Sequence, residues 1–336
     1  MDNALLMSLG ELLLGILVLV FSGDYLVKGA TAIANHFKIS SLVIGLTVVA
    51  FGTSAPELIV SLDAAITGHP EIALGNVIGS NIANIALVLG ITVIILPMPV
   101  AQQTIKRSWP VMLIAGIALY LTMLNNRVGT FEGVALFVLL IWFIISSIRS
   151  SKRFPISISI PKPSNKLPIW VYIGIVVLAS GGLALGSRFL VNGASVMAAS
   201  MGVSERIISI TIVAFGTSVP ELTASVIAAL KKETDISVGN IVGSNIFNVF
   251  AVIGISSGVH VIDFNFSEFA IDLNFMLLFF ILLFVFILPW KEIGQGIKQK
   301  QGLVKIYKGI TGSRISRTEG GILVVMYVVY IVLIFK

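Results

Sequence analysis

The run Ala50-Phe51-Gly52-Thr53-Ser54-Ala55-Pro56-Glu57-Leu58 recurs as Ala214-Phe215-Gly216-Thr217-Ser218-Val219-Pro220-Glu221-Leu222. Both copies lie inside long apolar segments, where a carboxylate is costly unless it has a partner or a task. Proline directly before the glutamate removes a backbone donor and clashes with the carbonyl four residues earlier. That carbonyl belongs to Gly52 in one copy and Gly216 in the other. The helix is therefore expected to loosen at both places and expose oxygens. Hydroxyls, freed carbonyls and a carboxylate on a broken membrane helix resemble a cation site at mid-membrane.

The spacing between the copies holds well beyond the motif. The offset is 164 for Glu57 and Glu221, for Asn76 and Asn240, and for Asn84 and Asn248. It extends back to Gly29-Ala30 against Gly193-Ala194, and roughly half the positions of 45–90 are identical to those of 209–254. The chain is thus an internal duplication.

Composition fixes the environment. With 336 residues, 57% hydrophobic and 11% charged, and a mean hydropathy of +1.03, the sequence is that of an integral membrane protein. Its formal charge of +6 comes from basic residues in short loops, which argues against nucleic acid as a partner. Without cysteine there are no disulfides or thiolate metal sites. The first apolar run starts after Met1-Asp2-Asn3 with no basic leader segment, so it is expected to span the membrane and to be retained.

Apolar segments of spanning length fall at 5–34, 39–67, 71–97, 109–125, 131–148, 169–199, 204–230, 236–262, 268–290 and 319–335. The expected fold is an all-α membrane protein of ten transmembrane helices in two repeats of five. The first repeat covers 1–148, with its motifs in 47–90. A basic cytoplasmic linker follows at 149–168, and the second repeat covers 169–336, with its motifs in 211–254. Lys and Arg cluster in loops that all face one side if both termini lie outside, so the positive-inside rule gives N-out and C-out. Five spans is an odd number, so the second repeat enters the membrane in the opposite sense. Such inverted repeats place the substrate near the midplane, at their interface.

A second element accompanies each glutamate: Gly75-Asn76-Val77-Ile78-Gly79-Ser80-Asn81-Ile82-Ala83-Asn84 and Gly239-Asn240-Ile241-Val242-Gly243-Ser244-Asn245-Ile246-Phe247-Asn248. On a helix, Asn76, Ser80 and Asn84 share one face, as do Asn240, Ser244 and Asn248. The paired glycines allow close helix approach. Taken singly, either pattern is explained by packing or interhelical hydrogen bonds; beside an intramembrane glutamate in both halves they point to ion coordination. Two carboxylates with neutral oxygens suit one Ca2+ or two monovalent ions such as Na+, and no soft ligand for zinc or copper is offered.

These motifs resemble the two alpha-repeats of the sodium/calcium exchanger family, in the cation/calcium antiporter superfamily. The likeness covers nearly the whole chain and is of the compact prokaryotic type, without a large cytoplasmic domain. The resemblance implies a central cluster of cation sites with Glu57 and Glu221 as principal calcium ligands. Thr53, Ser54, Ser80, Thr217, Ser218 and Ser244, with the carbonyls of Ala50 and Ala214, complete the calcium and sodium sites on that analogy, and Asn84 and Asn248 stand at the positions of further ligands. It also implies that spans 5–34 and 169–199 slide against the remaining bundle. Several relatives carry an aspartate where this chain has Asn84 or Asn248; its loss lowers the charge of the site and points to potassium independence.

The implied function is secondary antiport in a plasma (inner) membrane, with sodium influx driving calcium export by alternating access. A proton/calcium antiporter is the nearest alternative, and a cation channel a more distant one. Neither an enzyme activity nor a cofactor is expected, and no nucleotide-binding fingerprint occurs. The expected partners are Ca2+, Na+ and the lipid bilayer. The sequence is compatible with a monomer without fixing the oligomeric state.

Several charges fall outside this scheme. Asp24 matches Arg188 across the repeat; the two either pair or each reach a membrane edge, with snorkelling favoured for Arg188. Asp63, whose mate is Ile227, belongs either to an ion pathway or to a span end. Glu11 and Asp272 are expected near the outer interface. His36, His69 and His260 lie near span ends without metal-ligand spacing. The basic loop 291–318 is expected to be a solvated, inward-retained segment.

Overall fold

The structure, a computed structural model, describes residues 3–153, 167–203, 214–290, 293 and 313–334. Most of the linker 149–168, the start of the span at 204–230 and most of the loop 291–318 lie outside the described residues. Ten long helices follow one another among the described residues. The first five are α1 (Asn3–Phe37), α2 (Ser41–Ile66), α3 (Glu71–Ile95), α4 (Trp109–Met123) and α5 (Thr130–Arg153). The second five are α6 (Ile169–Ser200), α7 (Val219–Leu230), α8 (Thr234–Val259), α9 (Phe266–Ile287) and α10 (Arg317–Ile334). Helix is the expected solution, because hydrocarbon leaves each backbone N–H and C=O to be satisfied within its own segment.

Burial separates the helices into two kinds. The apolar stretch of α8 is 94% buried and that of α3 72%, against 17% for α1 and 22% for α6. α3 and α8 are thus the central helices, and α1 and α6 show much of their surface to lipid. α1 and α6 pack closely on each other through glycines: Gly15 abuts the backbone of Gly186 and Leu190, and Gly193 abuts that of Ser8 and Leu12. At these contacts a Cβ has no space, the condition under which small residues bring membrane helices together.

The helices carry local expansions at matched places. α3 and α8 each contain a π-helical turn, Asn84–Leu89 and Asn248–Ile253, separated by the repeat offset. Another lies in α2 at Gly45–Val49, just before the first motif.

Two short antiparallel ribbons add strands to an otherwise helical chain. Met98–Pro99 pairs with Arg314–Ile315, and Arg127–Val128 with Ile262–Asp263. Each ribbon joins the first half to the second, and the two lie at opposite ends of α4. Met98–Pro99 and Ile262–Asp263 are again 164 apart, so the ribbons exchange roles between the halves.

Asp24 does not pair with Arg188. It binds Lys28 one turn later on α1, at 2.6 Å, and Lys231 at the end of α7. Lys231 stands closer to Asp24 because α7 packs against α1 at Gly23, where Ile227 and Thr223 fill the space of a Cβ. Asp63 is exposed in the last turn of α2, as its span-end reading requires.

Candidate cation site

α2 begins at Ser41, where the Ser40 hydroxyl caps it by accepting from the Val43 N–H at 3.3 Å. It runs through Ala50–Ile66 with Pro56 inside. The expected break at Gly52 is not present: the chain stays helical there, and the disturbance sits upstream, in the π-helical turn at Gly45–Val49. In the second copy the break does occur. A short helical segment, Ala214–Gly216, ends in a turn at Thr217–Ser218, and α7 restarts with Pro220 in its first turn. The Gly216 carbonyl accepts from Ser187 Oγ of α6 at 2.5 Å.

Both glutamates are fully buried, and each is fixed through its backbone by an asparagine of the next helix. Asn76 Nδ2 donates to the Glu57 carbonyl at 3.3 Å and to Ser61 Oγ at 2.9 Å. Asn240 Nδ2 donates to the Glu221 carbonyl at 3.4 Å and to Ser225 Oγ at 3.0 Å. These mirror-related brackets lock α2 to α3 and α7 to α8. Asn76 and Asn240 share a helix face with the serine-asparagine ladders, yet their amides are committed to this bracing. Ser61 and Ser225 were not singled out in the sequence; the 164 offset between two serines placed one turn after each glutamate was the available signal.

The halves meet through the hydroxyls of the first motif. Ser54 Oγ donates to Glu221 Oε1 at 3.0 Å. Thr53 Oγ1 lies 3.1 Å from Asn240 Oδ1, 3.4 Å from Ser244 Oγ and 3.3 Å from the Ala50 carbonyl. The carboxylates of Glu57 and Glu221 are within electrostatic reach of each other. Residues from both repeats therefore converge on one buried locus.

In the same motifs, several buried polar groups have no hydrogen-bond partner among the described residues. Both carboxylate oxygens of Glu57 and Oε2 of Glu221 are unpartnered, as are Ser80 Oγ, Ser218 Oγ and the side-chain amides of Asn84 and Asn248. Leaving such groups unmet costs about 1–3 kcal/mol each, and more for a charge. A cation is the partner that suits carboxylate, hydroxyl and amide oxygens together. Asn81 and Asn245, another pair 164 apart that sequence reasoning passed over, are also buried with Oδ1 free. Thr217 is half-buried and lines a neighbouring cavity. The side-chain surroundings of Ala214 lie outside the described residues.

That cavity, of about 1020 Å³, is lined by α6 together with residues of α1, α2, α5, α7 and α8. Gly52, Pro56, Thr217 and Pro220 of the two motifs line it, together with Arg188 of α6. Arg188 is exposed and has no ion-pair partner among the described residues.

Comparisons with known proteins agree on one family. The family described as sodium/calcium exchanger protein matches residues 7–149 and 171–336. The chain is 38% identical to CaxA of Alkalimonas amylolytica over 73% of its length and 78% of that protein. It is 27% identical to the sodium/calcium exchanger MaX1 of Methanosarcina acetivorans, over 96% and 97% of the two chains. Among solved structures, the sodium-calcium exchanger NCX_Mj superposes with a TM-score of 0.77 at 28% identity, covering 98% of this chain and 99% of that one.

Proposed function

The chain belongs to the sodium/calcium exchanger family, and from that premise we propose that it is a secondary antiporter in which sodium entry drives calcium export. The proposed site is the buried locus where the halves meet. Glu57 and Glu221 supply the charge; Thr53, Ser54, Ser80, Asn84, Thr217, Ser218, Ser244 and Asn248 supply neutral oxygens, with the carbonyls of Ala50 and Ala214. The observation that carries this reading is the contact between the halves at the second glutamate, where Ser54 Oγ donates to Glu221 Oε1 and Thr53 Oγ1 lies 3.1 Å from Asn240 Oδ1, while both carboxylate oxygens of buried Glu57 and Oε2 of Glu221 lack a donor among the described residues. Two carboxylates balance one Ca2+ or two Na+, so the ions compete for the same oxygens.

The two units, 1–148 and 169–336, act as inverted repeats about this site, joined by the basic linker 149–168 on the cytoplasmic side. The exchanged ribbons at opposite ends of α4 and the mirrored asparagine brackets support that symmetry. α1 and α6, packed on each other and largely lipid-facing, form the body that shifts against the rest to expose the site alternately. The plasma membrane is the proposed location. The relatives MaX1 and NCX_Mj, exchangers of sodium and calcium by name, support the choice of ions.

The test is calcium uptake into liposomes holding the purified chain. An outwardly directed sodium gradient should drive calcium in, while a pH gradient alone should not. Uptake driven by protons and indifferent to sodium would transfer the reading to a proton/calcium antiporter. Flux without any counter-ion gradient would indicate a channel.

A further inference from the structure

Arg188 and Asp63 are two of the charges that the site does not use. Arg188 projects from α6 into the cavity beside the motifs, and Asp63 is exposed near the end of α2. An arginine within a membrane span is costly enough to need a partner in some state of the protein, and Arg188 has no ion-pair partner here among the described residues. The repeat offset indicates which partner. Asp24 of α1 is the mate of Arg188, and Ile227 of α7 is the mate of Asp63.

α1 is held to α7 by a defined contact. Gly23 packs on Thr223 and Ile227, and Asp24 then reaches Lys231, one turn beyond Ile227. Lys231 Nζ also donates to the Asp24 carbonyl at 3.5 Å. Moving each residue of the packing contact to its mate puts Ser187 of α6 against Ile59 and Asp63 of α2. Arg188 then stands beside Asp63, with a side chain long enough to span the remaining turn. We propose that Arg188 and Asp63 form an ion pair in the opposite-facing state of the transporter, replacing the pair of Asp24 with Lys231. The charges are interchanged between the halves: the acid is on α1 in one pair and on α2 in the other.

The geometry required is modest. In the present structure Ser180 of α6 lies over Gly52 of α2, whereas the mirrored contact places Ser187 against Asp63. The displacement is at most about one helical turn, ~5.4 Å along the axis. In this state Asp24 is engaged and Arg188 is not, the arrangement expected when one latch is closed and the other open. By the distribution of Lys and Arg, the Lys231 latch is cytoplasmic and the Asp63 latch external. This inference rests on the alternating-access reading above and adds to it the residues that hold each end shut.

The chain has no cysteine, so introduced pairs report alone. D24C/K231C and R188C/D63C proteins in liposomes are treated with a short bismaleimide, because two cysteines alone cannot bridge the gap that a long basic side chain spans, and the bridged product is counted by intact mass. Both pairs should cross-link within the chain in part of the population. Adding Lys231→Ala to R188C/D63C should raise its yield by about twofold to fivefold, the shift that loss of one exposed ion pair supports. No cross-link at R188C/D63C, or a yield indifferent to Lys231→Ala, would overturn the proposal. If R188C/D63C fails to fold, charge exchange decides: Arg188→Asp and Asp63→Arg should each slow calcium uptake, and the double variant should recover it. Singles without effect, or a double without recovery, would overturn it equally. A chain that moves calcium against protons would fail the sodium-driven uptake test yet still pass cross-linking, so the two readings fail separately.

Discussion

A nine-residue run and its copy, identical but for Ala55 and Val219, fold in two ways within one chain. Around Pro56 the helix is continuous; around Pro220 it stops at Gly216, turns through Thr217–Ser218 and restarts. Proline inside a helix costs about 3 kcal/mol, whereas in the first turn its missing N–H is no loss. The first copy keeps its helix through Pro56, with a π-helical turn upstream at Gly45–Val49; the second breaks. The facing helices differ at a matched position. Ser187 offers its hydroxyl to the Gly216 carbonyl, while its mate Gly23 has none to offer Gly52. Local sequence therefore sets where the helix is weak, and the neighbouring helix decides whether it opens.

The asymmetry reaches the glutamates. Glu221 accepts from Ser54, but Ser218, the mate of Ser54, gives nothing to Glu57. If both carboxylates nonetheless hold the same ions, Glu57→Gln and Glu221→Gln should each reduce sodium-dependent radiocalcium uptake by about 100-fold or more, as for removal of a buried charge partner. Insertion into the membrane should be unaffected. A tolerated Glu57→Gln beside a dead Glu221→Gln would mean that the halves are unequal in function as well as in shape.

The second expected effect concerns packing between the halves. Gly243 of α8 lies against the backbone of Leu46 in α2, leaving no room for a Cβ. Gly243→Ala should destabilise the protein by about 1–3 kcal/mol through overpacking, measurable as a lowered melting temperature in detergent. The mate of this contact is Gly79 with Ile210, and Ile210 lies outside the described residues. An equal loss for Gly79→Ala would show that the packing is mirrored there; no loss would extend the asymmetry to the central helices.

Much of this organisation was legible in the sequence, for physical reasons. Hydrocarbon forces helices of predictable length, so ten spans could be counted from hydropathy. An intramembrane Pro-Glu repeated at a fixed offset could hardly be incidental. The pairing of Asp24 was not legible, because Lys231 lies 207 residues away and only the tight contact of Gly23 with Ile227 brings it near. Nor was the unequal fate of Gly52 and Gly216, since it depends on a residue of another helix. The ladder asparagines illustrate the limit well. Periodicity placed Asn76 and Asn84 on one face, but only neighbouring Ser61 shows that Asn76 braces a backbone while Asn84 keeps its oxygen free.

The smallest predicted effect tests the asymmetry most directly. Ser54→Ala removes a hydrogen bond to a buried carboxylate and should cost about 1 kcal/mol in cation-free protein, the usual scale for side-chain bonds within membranes. Ser218→Ala removes a hydroxyl that has no hydrogen-bond partner among the described residues and should change cation-free stability by only a few tenths of a kcal/mol. With calcium present the contrast should persist unchanged, since both hydroxyls belong to the proposed ligand set and each variant should bind calcium more weakly by a similar factor. Melting curves with and without calcium measure both quantities. Equal losses in the cation-free protein would mean that Ser218 reaches Glu57 as Ser54 reaches Glu221, and that the broken and continuous copies exchange shapes faster than the measurement. A contrast that widens in calcium would instead assign Ser54 to the site and leave Ser218 outside it.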